Sequence, residues 1–170
     1  MLAIWRRKLH LGCARTDASV AEFEGIDTDS LLLDRMRAWY LNLLDTAPPA
    51  LLDVSELSRQ CTISTVGSTH ALILPPSGCR RVLSVKLQGW QQAVIPIQHH
   101  SPEGTALLLR LASPYSRPGT AAPTAVVMPD GSITASPVDI PIAESVRAIT
   151  DPGPDTYTLC PSLLSTIPLQ

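Results

Sequence analysis

Leu32-Leu33-Asp34-Arg35-Met36-Arg37-Ala38-Trp39-Tyr40-Leu41-Asn42-Leu43-Leu44-Asp45-Thr46-Ala47-Pro48-Pro49 is the stretch on which the fold turns. Its apolar residues Leu32, Leu33, Met36, Trp39, Tyr40, Leu43 and Leu44 recur three or four positions apart, the spacing that brings side chains to one face of an α-helix. Asp34, Arg35, Arg37, Asn42 and Asp45 fall largely on the opposite face. Asp29 or Ser30 supplies a side-chain oxygen for the amides exposed at a helix start. Pro48 and Pro49 stop the helix, because proline has no amide hydrogen and disfavours helix in the residue before it. The pattern predicts a helix over 29–47, with Leu51 to Leu57 adding one short turn.

Beyond Cys61 the period changes from helical to extended. Thr62–Val66, His70–Leu74, Arg81–Leu87, Ala93–Ile97, Ala106–Leu111, Ala122–Met128 and Ser132–Ser136 are short, often β-branched runs. Gly67-Ser68, Pro75-Pro76-Ser77-Gly78, Gly89, Ser101-Pro102-Glu103-Gly104, Pro118-Gly119 and Pro129-Asp130-Gly131 punctuate them. Regular turns between short strands predict a compact antiparallel sheet or barrel. Met128 to Ser132 is the best hairpin, since Gly131 accepts the positive φ a tight turn requires. The chain therefore reads as α+β: a basic arm and acidic linker (1–28), a helical region (29–60), an antiparallel β-rich region (61–150) and a tail (151–170). In the tail, Tyr157–Leu159 fits a short strand and Pro161–Ile167 a short C-terminal helix. An apolar content of 45% drives collapse despite sixteen prolines.

Charge is segregated along the chain. Residues 1–16 carry Arg6, Arg7, Lys8 and Arg15 and no acid; residues 17–56 carry nine acids against Arg35 and Arg37. Residues 61–128 reverse the sign, with Arg80, Arg81, Lys86, Arg110 and Arg117 against Glu103, and residues 129–170 turn acidic again. Complementary blocks of this kind fix register between copies of one protein. The net charge of −2 offers no bulk attraction to nucleic acid or to an anionic membrane. Leu9-His10-Leu11-Gly12-Cys13 loosely resembles a lipid-attachment box. Arg6, Arg7, Lys8 and His10, however, interrupt the apolar run of about 7–15 residues that such a signal needs. No run approaches the roughly 18 apolar residues of a membrane span, and the chain reads as soluble and non-secreted.

The search for chemistry returns no catalytic, cofactor-binding or metal-ligating set. Cys13, Cys61, Cys79 and Cys160 lack the paired spacing of a zinc site and read as free thiols. There is no G-x-S-x-G elbow and no glycine-rich phosphate loop. His99 and His100 are adjacent, so on a strand they point to opposite faces, and they precede what reads as an exposed loop. His10 and His70 are isolated, and Glu22 and Glu24 lie in a solvated acidic stretch. Trp90 and Tyr115 are too few aromatics for stacking bases.

One combination spanning residues 29–128 resembles a known family. The helix ending Leu43-Leu44-Asp45-Thr46-Ala47-Pro48-Pro49-Ala50-Leu51-Leu52 is followed by Ala71-Leu72-Ile73-Leu74-Pro75-Pro76. Then comes Arg80-Arg81-Val82-Leu83-Ser84-Val85-Lys86-Leu87-Gln88-Gly89-Trp90-Gln91-Gln92-Ala93-Val94. This series resembles the head-to-tail adaptor, or connector ring, proteins of tailed bacteriophages, particularly phages of gut Bacteroidales. It departs from their pattern at Pro76-Ser77-Gly78 and at Ala93, where a proline is expected. The resemblance implies a non-enzymatic virion protein at the head-tail junction, assembled in the host cytoplasm as a ring of about twelve copies. Its partners would be itself, the portal protein and neighbouring tail or ring proteins, with DNA only as channel contents, no cofactor and no membrane. The subunit-interface candidates that follow are Leu32, Met36, Trp39, Tyr40, Leu43, Arg80, Arg81 and Trp90. Two alternatives stand beside it. One is a small peptide-binding module with a groove lined by Val82, Val85, Leu87 and Trp90. The other is a hydrolase with a site around His99, His100 and nearby serines.

Overall fold

The computed structural model of the chain describes residues 28–67, 69–113, 115–154 and 156. The basic arm, most of the acidic linker and the expected elements at Tyr157–Leu159 and Pro161–Ile167 lie outside them, as do Cys13 and Cys160. The chain divides into two compact units, 1–43 and 44–170.

The expected helix is α1, Thr28–Thr46. It is already helical at Asp29 and Ser30, so these residues occupy its first turn rather than its cap. Its buried stripe is narrower than the sequence pattern suggested. Met36, Tyr40, Leu44 and Ala47 are buried at intervals of four, four and three, whereas Leu33 and Trp39 are exposed by 42% and 47%. Trp39 is therefore not the packed anchor its spacing implied. A residue three from one stripe position and five from another sits off the stripe's axis. The Arg37 guanidinium lies 5.9 Å from the Tyr40 ring centroid, a cation–π contact within the helix. Pro48 ends α1, and a single 3-10 turn follows at Pro49–Leu51.

Among the described residues, eight strands follow in two sheets. The first has the order β1-β8-β4, all antiparallel, with β1 at Ser55–Glu56, β4 at Cys79–Leu87 and β8 at Ala143–Thr150. The second runs β2-β3-β7-β6-β5, with β2 at Thr62–Val66, β3 at His70–Leu74, β5 at Ile97–Gln98, β6 at Thr124–Val127 and β7 at Ile133–Ser136. β2 and β3 pair over five residues without a register shift. β6 and β7 form the expected hairpin. Gly131 takes φ 81°, its amide donates to the Met128 carbonyl at 3.0 Å, and Asp130 Oδ1 accepts from both the amide and the hydroxyl of Ser132.

Four expectations need correction. The short turn expected over Leu51–Leu57 is instead the 3-10 turn Pro49–Leu51, followed by chain that includes the strand Ser55–Glu56. Ala106–Leu111 is not a strand but the body of helix α2, Pro102–Ala112. Ser101-Pro102-Glu103-Gly104 is its start signal rather than a loop. Ser101 Oγ accepts the Gly104 amide at 3.0 Å, Pro102 sits where no amide donor is needed, and Glu103 faces the positive end of the helix dipole. Gly104 is there for space, because a Cβ on it would lie 2.0 Å from the Gln98 carbonyl oxygen. Ala93–Ile97 is not a continuous strand either: Val94 makes one antiparallel bridge to Val85, and only Ile97–Gln98 pairs further, parallel to β6. Helix α2 is the crossover that this parallel pair requires. Finally, β8 went unread, although it is the central strand of its sheet; Glu144 and Arg147 interrupt the apolar run that includes the fully buried Val146, Ala148 and Ile149.

The core draws on both sheets, which pack as a sandwich. Ala71 and Ile73 of β3, Val85 and Leu87 of β4, Ala125 of β6, Ile133 and Ala135 of β7, and Val146 and Ala148 of β8 form one cluster with Leu57, Trp90 and Val138. Trp90 buries its ring there and donates its indole N–H to the Pro137 carbonyl at 2.7 Å. Ser136, also buried, donates its hydroxyl to the Thr69 carbonyl at 3.1 Å.

Candidate interaction surfaces

The twin arginines at the start of β4 act inside the chain. Arg80 forms a two-pronged ion pair with the Asp45 carboxylate, which holds its guanidinium pKa above the usual value through that hydrogen bond. Arg81 donates to the carbonyls of Asp45 at 2.8 Å and Ala47 at 2.6 Å. These carbonyls belong to the last turn of α1 and the residue after it, where no intrahelical donor remains, so the pair caps the helix end by charge and by hydrogen bond. Arg81 Nε is enclosed and has no partner.

Beside Arg81 a groove of about 580 Å³ opens over β4, reaching Arg147 of the central strand β8 and Val54 beside β1 on one side and Ile95, Pro96 and Gln98 on the other. Val54, Val82, Ile95 and Pro96 give it an apolar wall, and Arg81, Ser84, Gln98 and Arg147 give it polar groups. No carboxylate lines it. Arg147 makes no ion pair among the described residues. Glu56, its register partner on β1, turns its carboxylate instead to Ser145 Oγ and the Val146 and Ser58 amides. Burial acts to raise the Glu56 pKa, but those hydrogen bonds outweigh it and hold it below the usual carboxylate range. The edge itself is open: the Val85–Val94 bridge is followed by Pro96, which has no amide to continue the ladder. A bulge between Val82 and Ser84 leaves Leu83 without a register partner on β8. A smaller recess of about 290 Å³ lies between the Leu74–Arg81 turn and Asp130–Ser132.

The second open edge is β2, the outermost strand of its sheet. Every residue of Thr62–Val66 except Ile63 is exposed, and the strand carries no charge and no proline.

These placements redraw the predicted interface. Met36, Tyr40 and Trp90 are buried and offer little surface to a neighbour, whereas Trp39 is exposed and Leu43 half-buried. At Leu32 only the backbone is described. Arg80 and Arg81 are brought together, but on Asp45. The peptide groove expected from Val82, Val85, Leu87 and Trp90 is not formed, since the last three belong to the core. Val82 does line a groove, with Ile95, Ser84, Gln98 and Arg147, which the sequence reading missed. The one signal for it was Pro96 inside a run read as a strand.

His99 and His100 form the turn between β5 and α2, their rings edge to face at 5.2 Å. The adjacent Ser101 hydroxyl is committed to the Gln98 carbonyl and the Gly104 amide. Among the described residues no group of three His, Cys, Asp or Glu side chains could hold a metal ion, and no helix is long and apolar enough to cross a membrane. Cys61 and Cys79 are free thiols at the border of the core. Burial, then the neighbouring Cys79 and Glu56, push the Cys61 thiol up to about 11; burial also raises Cys79. Thiols so placed stay protonated and are poor nucleophiles at neutral pH.

Compared with known proteins, the chain matches no family model, no curated protein and no solved structure.

Proposed function

We propose that the chain is a non-catalytic structural subunit, and that it serves in the connector ring joining a phage portal to its tail. The observation that carries the assembly reading is the unguarded edge of β2. A strand with one paired side is a template for a strand from another chain, and proteins that stay apart blunt such edges with charge, proline or a bulge. Thr62–Val66 uses none of these and pairs in even register with β3. Around it, Val66 and Leu74 are exposed by 53% and 43%, and elsewhere Trp39, Ile95, Ile140 and Ile142 add further exposed apolar area.

The place of assembly rests on the resemblance of residues 29–128 to connector proteins. The groove beside β4 suits a peptide-binding module as well as a ring subunit, and entry into a ring separates the two. Size-exclusion chromatography of the full chain with the portal protein encoded nearest to it is the test. Co-elution in a complex of several copies supports the reading, and separate elution at every ratio tried opposes it.

A further inference from the structure

We infer that the groove along β4 is the seat for the acidic segment Asp17–Asp27 of a second copy of this chain. The inference rests on the assembly reading for its partner and adds the contact itself. Asp17-Ala18-Ser19-Val20-Ala21-Glu22-Phe23-Glu24-Gly25-Ile26-Asp27 carries four carboxylates and no base, interleaved with Val20, Phe23 and Ile26; Phe23 is the only phenylalanine of the chain. The groove carries the complement: two guanidinium groups, no carboxylate, and an apolar wall on which Ile95 stands 73% exposed. Arg147 has no ion pair among the described residues, whereas Arg81 lines the groove with its Nη atoms on the Asp45 and Ala47 carbonyls.

Each side thus has what the other lacks. An extended segment also finds a backbone partner, because β4 is an edge strand whose outer ladder stops at Pro96. Main-chain pairing with pockets for side chains is the usual way an edge takes up a peptide, and about 580 Å³ accommodates a phenyl ring with its neighbours. A neighbour supplies the segment, because the assembly reading already brings copies of the chain together through open strand edges. A contact that always joins one copy's linker to the next copy's groove is head-to-tail, the kind that closes rings.

The test uses the full chain without portal, with Phe23 replaced by photoreactive benzoylphenylalanine, as an equal mixture of 14N- and 15N-labelled protein. Irradiation should join position 23 to peptides containing Val82 or Ile95, with both isotopes in one cross-linked pair. Arg147→Glu should lower that yield at least tenfold, and adding Glu22→Arg and Glu24→Arg to the same chain should restore it. Arg147 is exposed, and circular dichroism checks that the variant is folded. Pairs of a single isotope only, with no mixed pairs, would mean that the chain fills its own groove; cross-links elsewhere, or a yield indifferent to Arg147→Glu, would mean that the groove is not the seat. Any of these overturns the inference. Cross-linking as described by a protein that never joins a portal would keep this contact and remove the connector role.

Discussion

Replacing Trp90 by alanine removes an indole that is 4% exposed and packed within a cluster drawn from both sheets. It also strands the Pro137 carbonyl, which accepts the indole N–H at 2.7 Å. Truncating a buried aromatic costs about 3–5 kcal/mol through lost burial and the cavity left behind. Trp90→Phe isolates the polar part: the phenyl ring keeps most of the packing, and leaving a buried acceptor without its donor costs about 1–3 kcal/mol. For a chain of this length the alanine variant should melt on the order of 10 °C lower. Trp39, exposed by 47%, provides the control. Trp39→Ala should cost about 1 kcal/mol or less, as for surface positions generally. Urea unfolding followed by far-ultraviolet circular dichroism, which does not depend on tryptophan, measures all three. The reasoning fails if Trp90→Ala loses less than about 1 kcal/mol while Trp39→Ala loses more, because Trp90 would then be a surface residue and Trp39 the core one.

Gly104→Ala should destabilise by about 1–3 kcal/mol even though alanine is the better helix former, since its Cβ would meet the Gln98 carbonyl at 2.0 Å; unfolding at unchanged urea concentration would contradict the seating of α2 on β5. Arg80→Glu with Arg81→Glu should lower folding stability by about 1.5–3 kcal/mol, mostly through Arg81, because charge-assisted hydrogen bonds to the Asp45 and Ala47 carbonyls are lost. The exposed Arg80–Asp45 pair adds little. A fully stable double variant would show that the pair does not cap α1. Glu56, whose folded pKa lies below its ordinary value of 4.5, contributes stability above that pH and loses it as the pH falls through the folded value. Thermal melts between pH 6 and pH 3 should therefore fall less steeply for Glu56→Gln than for the parent, and parallel curves would refute the linkage.

How much of this was legible in the sequence depended on how local each signal was. Thr62–Val66 and His70–Leu74 emerge at their predicted bounds, because a β-branched run ended by Gly67 has one good local solution. α1 is equally local, and Pro48 ends it whatever surrounds it. Ala106–Leu111 misled because a short apolar run fits a buried strand or a helix, and the arbiter was Ser101-Pro102-Glu103, a capping signal that also resembles a turn. β8 was hidden because its partners, β1 and β4, come more than fifty residues earlier in the chain, and its exposed face carries Glu144 and Arg147. The site was less legible still. Spacing cannot distinguish an arginine that caps its own helix from one offered to a neighbour, and only the fold makes Arg81 the first kind. Nor can it show that Trp90 turns inward, since that depends on Pro137 lying within reach of its indole.

The central claim is that this chain works by joining copies of itself at a portal. Negative-stain imaging of the full-length protein mixed with the portal encoded beside it tests this most directly. The account predicts an added ring of density beneath the portal, absent when Thr62–Val66 carries Ser64→Lys and Val66→Lys to guard the edge. Bare portals beside free monomers, in images of the unaltered protein at concentrations where both are abundant, would contradict it.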